Sequence, residues 1–137
     1  MPLDVHLVTP EREVWAGEAR EVVARGVDGE VGILTGHAPL LIQLTIGPLT
    51  IYRDDQPELT AVVDGGFMHV SSDEGTRVDV MASNAELASE IDVEAARMKQ
   101  AKLEGTLRER DTGQADADDA GAKEELAKAQ ARINLSG

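Results

Sequence analysis

The chain has 137 residues, a formal net charge of −13 at neutral pH and no cysteine. This length fits one ordinary domain, or one domain with a small appendage, and excludes a multidomain enzyme. The charge repels phosphate backbones and anionic lipid headgroups, so nucleic acid and bare membrane surfaces are poor partners. The absence of cysteine excludes a disulfide framework, a thiolate nucleophile and a cysteine-ligated zinc site. Because aromatic residues make up only 2% of the chain, the core must be built from aliphatic side chains.

No stretch of the sequence is typical of secretion or membrane insertion. No apolar run approaches the roughly 18 residues of a spanning helix. The first four residues, MPLD, lack the basic and apolar start of a signal peptide. We therefore expect a soluble protein of the cytoplasm.

Residues 1–85 have the pattern of short β-strands. Apolar residues alternate with polar ones at Leu3, Val5 and Leu7, and again within 59–63 and 78–82, as in half-buried strands. Turn-forming residues recur about every ten positions, with no helical pattern between them. They lie at 28–29, 47–48, 54–57, 65–66 and 71–75. This spacing predicts an antiparallel sandwich or a flattened barrel.

The last third of the chain has a helical composition. Residues 1–90 hold 16 acidic and 5 basic residues, whereas residues 91–137 hold 10 and 8, including every lysine. Asp92 is suited to cap a helix over 93–110, in which Gly105 costs about 1 kcal/mol relative to Ala. A second helix is predicted over 122–134.

These two predicted helices carry only thin apolar stripes. The first helix has one stripe on each of two sides: one consists of Ile91, Ala95, Met98 and Ala101, and the other of Ala96, Leu103 and Leu107. The second helix has a single stripe, which consists of Ala122, Leu126, Ala129 and Ile133. Such stripes bury little area at about 25 cal/mol per Å². We therefore expect an antiparallel helical hairpin, domain 86–137, held only weakly to a sandwich domain, 1–85.

The acidic stretch 111–121 between the helices invites comparison with a calcium-binding loop. Asp116, Asp118 and Gly121 match positions one, three and six of an EF-hand. Positions five and twelve are Ala120 and Ala127, so the bidentate glutamate is missing. The ligand count favours a solvated loop over a metal site.

No catalytic constellation is recognisable in the sequence. Glycines 29, 32 and 36 are not followed by the lysine of a phosphate-binding loop and do not fit the dinucleotide fingerprint. No set of Ser, His and Asp stands out as a triad. We expect no cofactor, no metal and no enzymatic activity.

Residues 29–41, GEVGILTGHAPLL, form the most specific segment of the chain. Glycines at this spacing indicate positive φ or close backbone approach, and Pro39 removes a ladder hydrogen bond. A bulged strand with a tight turn would explain these features alone. The whole string, however, closely resembles the GE-x-G-I-L-x-G-HAPLL signature of the epsilon subunit family of bacterial F-type ATP synthases, whose mitochondrial counterpart is the delta subunit.

The resemblance continues along most of the chain. Val8, Thr9, Pro10 and Glu11, followed by Val14 and Gly17, resemble the family's opening strands, and 63–67, VDGGF, resembles its later turn. Ile91 and Asp92 lie where the family begins its two-helix tail. The resemblance implies a sandwich of about ten strands followed by a helical hairpin.

The resemblance also implies a role and partners. The chain would be a non-catalytic rotor subunit that joins the gamma subunit to the membrane ring of c subunits, on the cytoplasmic face of the bacterial plasma membrane. The interface with the c-ring and gamma would include Glu30, Gly32, Gly36, His37 and Pro39, although simple turn formation is the competing explanation of these residues. The C-terminal helices would contact the alpha and beta catalytic subunits and inhibit ATP hydrolysis when extended.

One position departs from the family. Some members bind ATP through a pattern of Ile or Leu, Asp, two residues, Arg and Ala, which here reads Ile91, Asp92, Val93, Glu94, Ala95 and Ala96. Ala95 occupies the arginine position, so the guanidinium that would clamp a phosphate is missing. Arg97 lies about 200° away around the helix. We therefore expect weak ATP binding or none. The alternative function from another class is a free-standing interaction or ligand-binding sandwich.

Overall fold

The computed structural model describes residues 2–110 and 118–136, with side chains over 2–105 and 121–135. In these ranges eight strands precede a short 3-10 turn and two helices. Their bounds are β1 Leu3–Val8, β2 Glu13–Ala19, β3 Glu21–Gly26, β4 Gly29–Leu34, β5 Leu40–Tyr52, β6 Leu59–Ser71, β7 Arg77–Ala82, β8 Ala85–Leu87, the 3-10 turn Ala88–Glu90, α1 Val93–Arg110 and α2 Asp118–Ser136. The predicted β-sandwich followed by two helices is confirmed.

The sandwich is made from one continuous sheet folded over itself. The strand order is β2-β1-β7-β6-β5-β3-β4, and β8 pairs with β6. The first half of β5 pairs with the second half of β6 at one end of the strands. The second half of β5 pairs with both β3 and the first half of β6. The two long strands thus belong to both layers, with β2, β1 and β7 in one layer and β3, β4 and β8 in the other.

The described residues contain eight strands rather than about ten because two predicted turns do not form. Residues 47–48 lie inside β5, and residues 65–66 lie inside β6. Pro48 is tolerated there because the pairing of β5 with β3 is interrupted between Ala24 and Gly26, where no ladder hydrogen bond is required. Each long strand therefore replaces two of the predicted short ones.

Gly65 and Gly66 bend β6 without ending it. Both have positive φ, 84° and 127°. A Cβ added to Gly66 would lie 2.2 Å from the backbone oxygen of Met81. Only glycine permits this close approach of β6 to β7.

One strand pair is parallel, which the antiparallel prediction did not include. β1 runs parallel to β7, with Val5 opposite Val78 and Leu7 opposite Val80. Parallel neighbours cannot be joined by a hairpin, and here the intervening strands form the long connection. The aliphatic core lies between the layers and includes Leu3, Leu7, Ile33, Leu49, Ile51 and Met68, all fully buried.

The hairpin docks mainly through its second helix. α2 lies against β5 and β6, while α1 packs on α2. The predicted stripe of α2 is confirmed, since Ala129 is buried and its companions are half-buried. In α1 only one of the two predicted stripes is covered: Ala96 is buried, whereas Met98 on the other side is 74% exposed. One helix cannot pack both sides against a single partner helix.

The predicted cap of α1 forms, whereas α2 extends beyond both predicted ends, over Asp118–Ser136 instead of 122–134. Asp92 caps α1, because its Oδ1 accepts a hydrogen bond of 3.0 Å from the backbone N–H of Ala95. α2 begins at Asp118, so the final part of the predicted loop 111–121 is helical, as suits acidic residues at a helix start. Asp116 lies outside the described residues.

Candidate functional site

Glu30 lies in the edge strand β4, just after a glycine turn. It is exposed in β4, opposite Arg25 of β3, beside a tight turn in which Gly29 has a φ of 128°. A cleft of about 310 Å³ next to it is lined by the turn and by Leu41, Ile42 and Gln43 of β5. Leu41 is 62% exposed. The carboxylate of Glu30 therefore stands beside an apolar recess.

His37 and its neighbours lie beyond the other end of β4. Gly36 has a φ of 88° and donates its N–H to the hydroxyl of buried Thr76 at 2.8 Å. The backbone N–H of His37 bonds to the carbonyl of Leu34, and its Nδ1 lies 2.7 Å from the carbonyl of Ala38. These bonds fix the turn, while Pro39 is exposed.

The structure does not bring Glu30 and His37 into one cluster. Glu30 and Leu34 are four positions apart in β4, about 13 Å at roughly 3.3 Å per residue, and His37 lies in the turn that follows Leu34. Gly32 is exposed between them, where an added Cβ would lie 3.2 Å from Glu21. The five predicted interface residues therefore form an edge about one strand long, with a polar group at each end.

An exposed apolar face adjoins this edge. Phe67 and Met81 are directly paired across β6 and β7, and both are largely exposed, at 48% and 43%. Leu41 on β5 projects from the same face, diagonal to Phe67. The docked hairpin leaves these three side chains uncovered. Contiguous exposed apolar side chains mark interaction surfaces, and we refer to Leu41, Phe67 and Met81 as the outer face.

The nucleotide-like motif lies at the junction between hairpin and sandwich. Asp92, Ala95 and Ala96 line a cleft of about 350 Å³, together with residues of β6, β8 and α2. Ile91 is half-buried beside the helix start and donates its N–H to the carbonyl of Ala88 at 3.3 Å. Ala95 is exposed and contributes no cation.

The cations that line this cleft are paired within the protein. Lys99 bonds to Glu125 at 2.6 Å, and Lys128 lies 3.3 Å from the same carboxylate. Arg132 binds Asp64 and Glu86. The hydrogen bond from Lys99, reinforced by Lys128, lowers the pKa of Glu125. An anionic ligand would have to displace these carboxylates.

A second ion pair fixes the connection between sandwich and hairpin. Arg12 donates two hydrogen bonds to Glu90, at 2.9 and 3.0 Å, and Glu90 also accepts the N–H of Leu87. The bond from Arg12, and then that from Leu87, lowers the pKa of Glu90. The pKa of Arg12 is raised by the same pair.

The sequence did not indicate the outer face or the pairing of Arg132. Leu41, Phe67 and Met81 come from three strands, and only the register of those strands puts them together. Arg132 is 68 residues from Asp64. Two features of the sequence could have indicated this pair. Asp64 lies within an apolar strand, and Arg132 lies next to the apolar stripe of α2.

The described residues contain no group of three or more His, Asp or Glu side chains placed to hold a metal ion. Among the helices of the described ranges, none is long and apolar enough to cross a membrane.

Comparison with known proteins identifies the class. Residues 2–101 match the sequence profile described as "ATP synthase, Delta/Epsilon chain, beta-sandwich domain". The ATP synthase epsilon chain of Moorella thermoacetica is 39% identical over 98% of this chain and 96% of its own length. That of Synechocystis is 35% identical over 100% of this chain and 98% of its own, and that of Thermobifida fusca is 50% identical over 69% of each.

Solved structures show the same fold. A chain in the OSCP/F1/c-ring structure of Euglena gracilis mitochondrial ATP synthase aligns with a TM-score of 0.77 at 22% identity, over 94% of this chain and 78% of that one. A chain in the central stalk/c-ring structure from Tetrahymena thermophila aligns with a TM-score of 0.59 at 18% identity, over 98% and 96%. Both alignments therefore include the sandwich and at least part of the helical hairpin. The chain belongs to the ATP synthase delta/epsilon chain family.

Proposed function

We propose that this chain is a rotor subunit of the central stalk, which couples the gamma subunit to the c-ring and carries out no chemistry itself. Family membership supports the role. The outer face supports the assignment of a binding surface, because it stays exposed while the hairpin is docked. Apolar side chains in a stiff sheet suit a permanent protein contact that must transmit torque. The outer face is the surface for gamma.

The edge from Glu30 to Pro39 is the surface for the c-ring. Glu30 is exposed and its cleft provides an apolar recess, so a polar loop from the membrane ring can bond to the carboxylate and insert an apolar side chain beside it. The backbone bonds of Gly36 and His37 hold the far end of the edge rigid. The acidic sandwich favours neutral or basic partner surfaces. Assembly of this kind places the chain at the membrane periphery, on the cytoplasmic face.

The test is assembly with purified gamma and c-ring. Phe67→Glu should lose gamma binding, and Glu30→Ala should lose c-ring binding, while each isolated variant keeps its stability within about 0.5 kcal/mol, as exposed positions do. Gln56→Glu is the control for Phe67→Glu because it adds the same charge to an exposed residue of the sandwich, in the connection between β5 and β6. Wild-type assembly of both test variants would contradict the surface assignments. Absence of gamma from wild-type pull-downs would favour the alternative, a free-standing interaction sandwich.

The C-terminal helices regulate ATP hydrolysis in this proposal. Docked against the sandwich they permit rotation, and extended along gamma they contact the alpha and beta subunits. The exposed stripe on α1, which includes Met98, is available for such contacts. Deletion after Glu90 and a crosslink of the hairpin to the sandwich should both raise hydrolysis in the assembled complex. If neither does, the sandwich alone carries the function.

A further inference from the structure

The guanidinium of Arg132 is held in a site on the sandwich. Its Nη1 and Nη2 donate to Oδ1 and Oδ2 of Asp64, both at 2.9 Å, and its Nε donates to Oε1 of Glu86 at 2.5 Å. Nη1 also reaches the carbonyl of Lys128 at 3.1 Å. The side chain of Arg132 is 11% exposed. Two parallel bonds to one carboxylate form the fork that only a planar guanidinium can make.

The sandwich builds the carboxylate half of this site by itself. Asp64 lies in β6 just before the glycine bend, with its side chain 2% exposed. Asn84 donates its amide to Oδ2 of Asp64 at 3.2 Å, and the hydroxyl of Ser83 donates to the Asp64 carbonyl at 2.7 Å. Both neighbours come from the connection between β7 and β8, so Asp64 is oriented independently of the hairpin.

Glu86 is placed beside Asp64 by strand register. It lies opposite Val62 in the pairing of β6 with β8, and alternate residues of a strand share a face. Val62 is fully buried on that face, although it is not part of the cluster between the two layers. The hairpin therefore covers a patch of the sandwich in which two carboxylates flank an apolar residue.

The guanidinium of Arg132 offsets negative charge of Asp64 and Glu86 at this patch. Burial opposes the charge of Arg132, but its hydrogen bonds with Asp64 and Glu86 prevail, and the pKa of Arg132 is raised. Leaving a buried carboxylate without its cation is costly. Two other cross-links of the hairpin, Lys99 with Glu125 and Gln100 with Gln130, join α1 to α2.

We propose that Asp64, Asn84 and Glu86 form a guanidinium-binding site in the sandwich, that Arg132 is its intramolecular ligand, and that occupation of this site holds the hairpin docked. The ligand class is a planar guanidinium, because an ammonium group cannot bond both oxygens of Asp64 and Glu86 in one plane. This inference concerns the isolated chain and holds whether or not the rotor assignment is correct.

The test measures docking in the full chain with spin labels on Glu58→Cys and Ala127→Cys, two exposed positions in a chain that has no other cysteine. Wild type should give one short distance. Arg132→Ala should lower the ratio of docked to undocked molecules about tenfold or more, the effect of losing charge-assisted hydrogen bonds. Ethylguanidinium, which replaces the deleted atoms, should restore the short distance, and ethylammonium should not.

Two further variants test whether the effect is specific to Arg132 and to the shape of its guanidinium group. Arg77→Ala removes another bidentate arginine, which bonds to Asp79 within β7, and should keep the docked distance. Arg132→Lys keeps the positive charge but cannot make the two parallel hydrogen bonds to Asp64. It should therefore also increase the fraction of molecules in which the hairpin is undocked. A wild-type distance in both Arg132 variants would overturn the proposal. Equal rescue of Arg132→Ala by both cations, or rescue by neither, would overturn the assignment to a guanidinium site.

Discussion

Among single residues, two glycines have opposite effects on the stability of the elements that contain them. Gly66 combines a φ of 127° with a backbone oxygen 2.2 Å from where a Cβ would lie. Gly105 lies in α1 with nothing within 4 Å of an added Cβ. The first glycine is required by the bend of β6, and the second only weakens its helix.

We predict that Gly66→Ala lowers the free energy of unfolding by more than about 2 kcal/mol, because both backbone strain and a clash must be relieved. Gly105→Ala is the matched control and should stabilise α1 by up to about 1 kcal/mol. Chemical denaturation of the two variants checks this. Similar stability for both would mean that β6 can bend without glycine.

A second prediction at this scale concerns pH. Because the pKa of Glu125 is lowered from its ordinary value of 4.5, the ionised form stabilises the fold. That contribution is complete above pH 4.5 and is lost as the pH falls below it. The melting temperature of Glu125→Gln should lie below that of wild type at pH 6, and the difference should disappear under acid conditions. Glu124→Gln, whose partner Lys128 lies 3.8 Å away, should show a smaller difference at pH 6.

At the scale of elements, β8 is the strand on which the domain boundary depends. The predicted division into 1–85 and 86–137 falls inside β8, which spans Ala85–Leu87 and pairs with β6. Leu87 packs against the core, and Glu90 bonds back to Arg12. The division remains a prediction, which truncation tests directly.

We expect a chain ending at Glu90 to unfold in one cooperative thermal transition, since all eight strands of the described sandwich remain. A chain ending at Ala85 should also unfold cooperatively but be less stable by about 1 to 2 kcal/mol, the contribution of a partly buried leucine and its strand. Calorimetry of both chains measures this. A non-cooperative transition for the longer chain would show that the hairpin is part of the folding unit.

In the molecule as a whole, the cations at the junction between sandwich and hairpin are already paired with carboxylates of the same chain. Its cleft is lined by Lys99, Lys128 and Arg132, each with a carboxylate partner. Ala95 stands where the family resemblance implies an arginine. Docking of the hairpin therefore needs no anionic ligand.

We predict no saturable binding of ATP by the isolated chain in calorimetry at millimolar nucleotide. Ala95→Arg is the matched variant and should bind more tightly than wild type, because it adds an unpaired guanidinium at the cleft. Micromolar binding by wild type, about 8 kcal/mol, would mean that the internal ion pairs open readily for a phosphate.

Much of the architecture was predictable from local patterns. Alternation at Leu3, Val5 and Leu7 and the cap at Asp92 depend on neighbours in sequence, and both were correct. Among the features that these patterns missed were the continuous strands β5 and β6. Glycine and proline at 47–48 and 65–66 form turns in most contexts, and only the pairing of β5, β6 and β7 makes them part of strands.

Local sequence patterns were sufficient to predict the fold class, the order of sandwich and hairpin, and the family, because periodicity and the 29–41 motif are local properties of the chain. The surfaces of the molecule depend instead on its tertiary contacts. These contacts leave Glu30 in β4 and His37 in the turn after it, bring Leu41, Phe67 and Met81 into one face, and join Arg132 to Asp64. Such contacts depend on strand register and helix docking, which bring together residues far apart in sequence and leave no periodic trace in it.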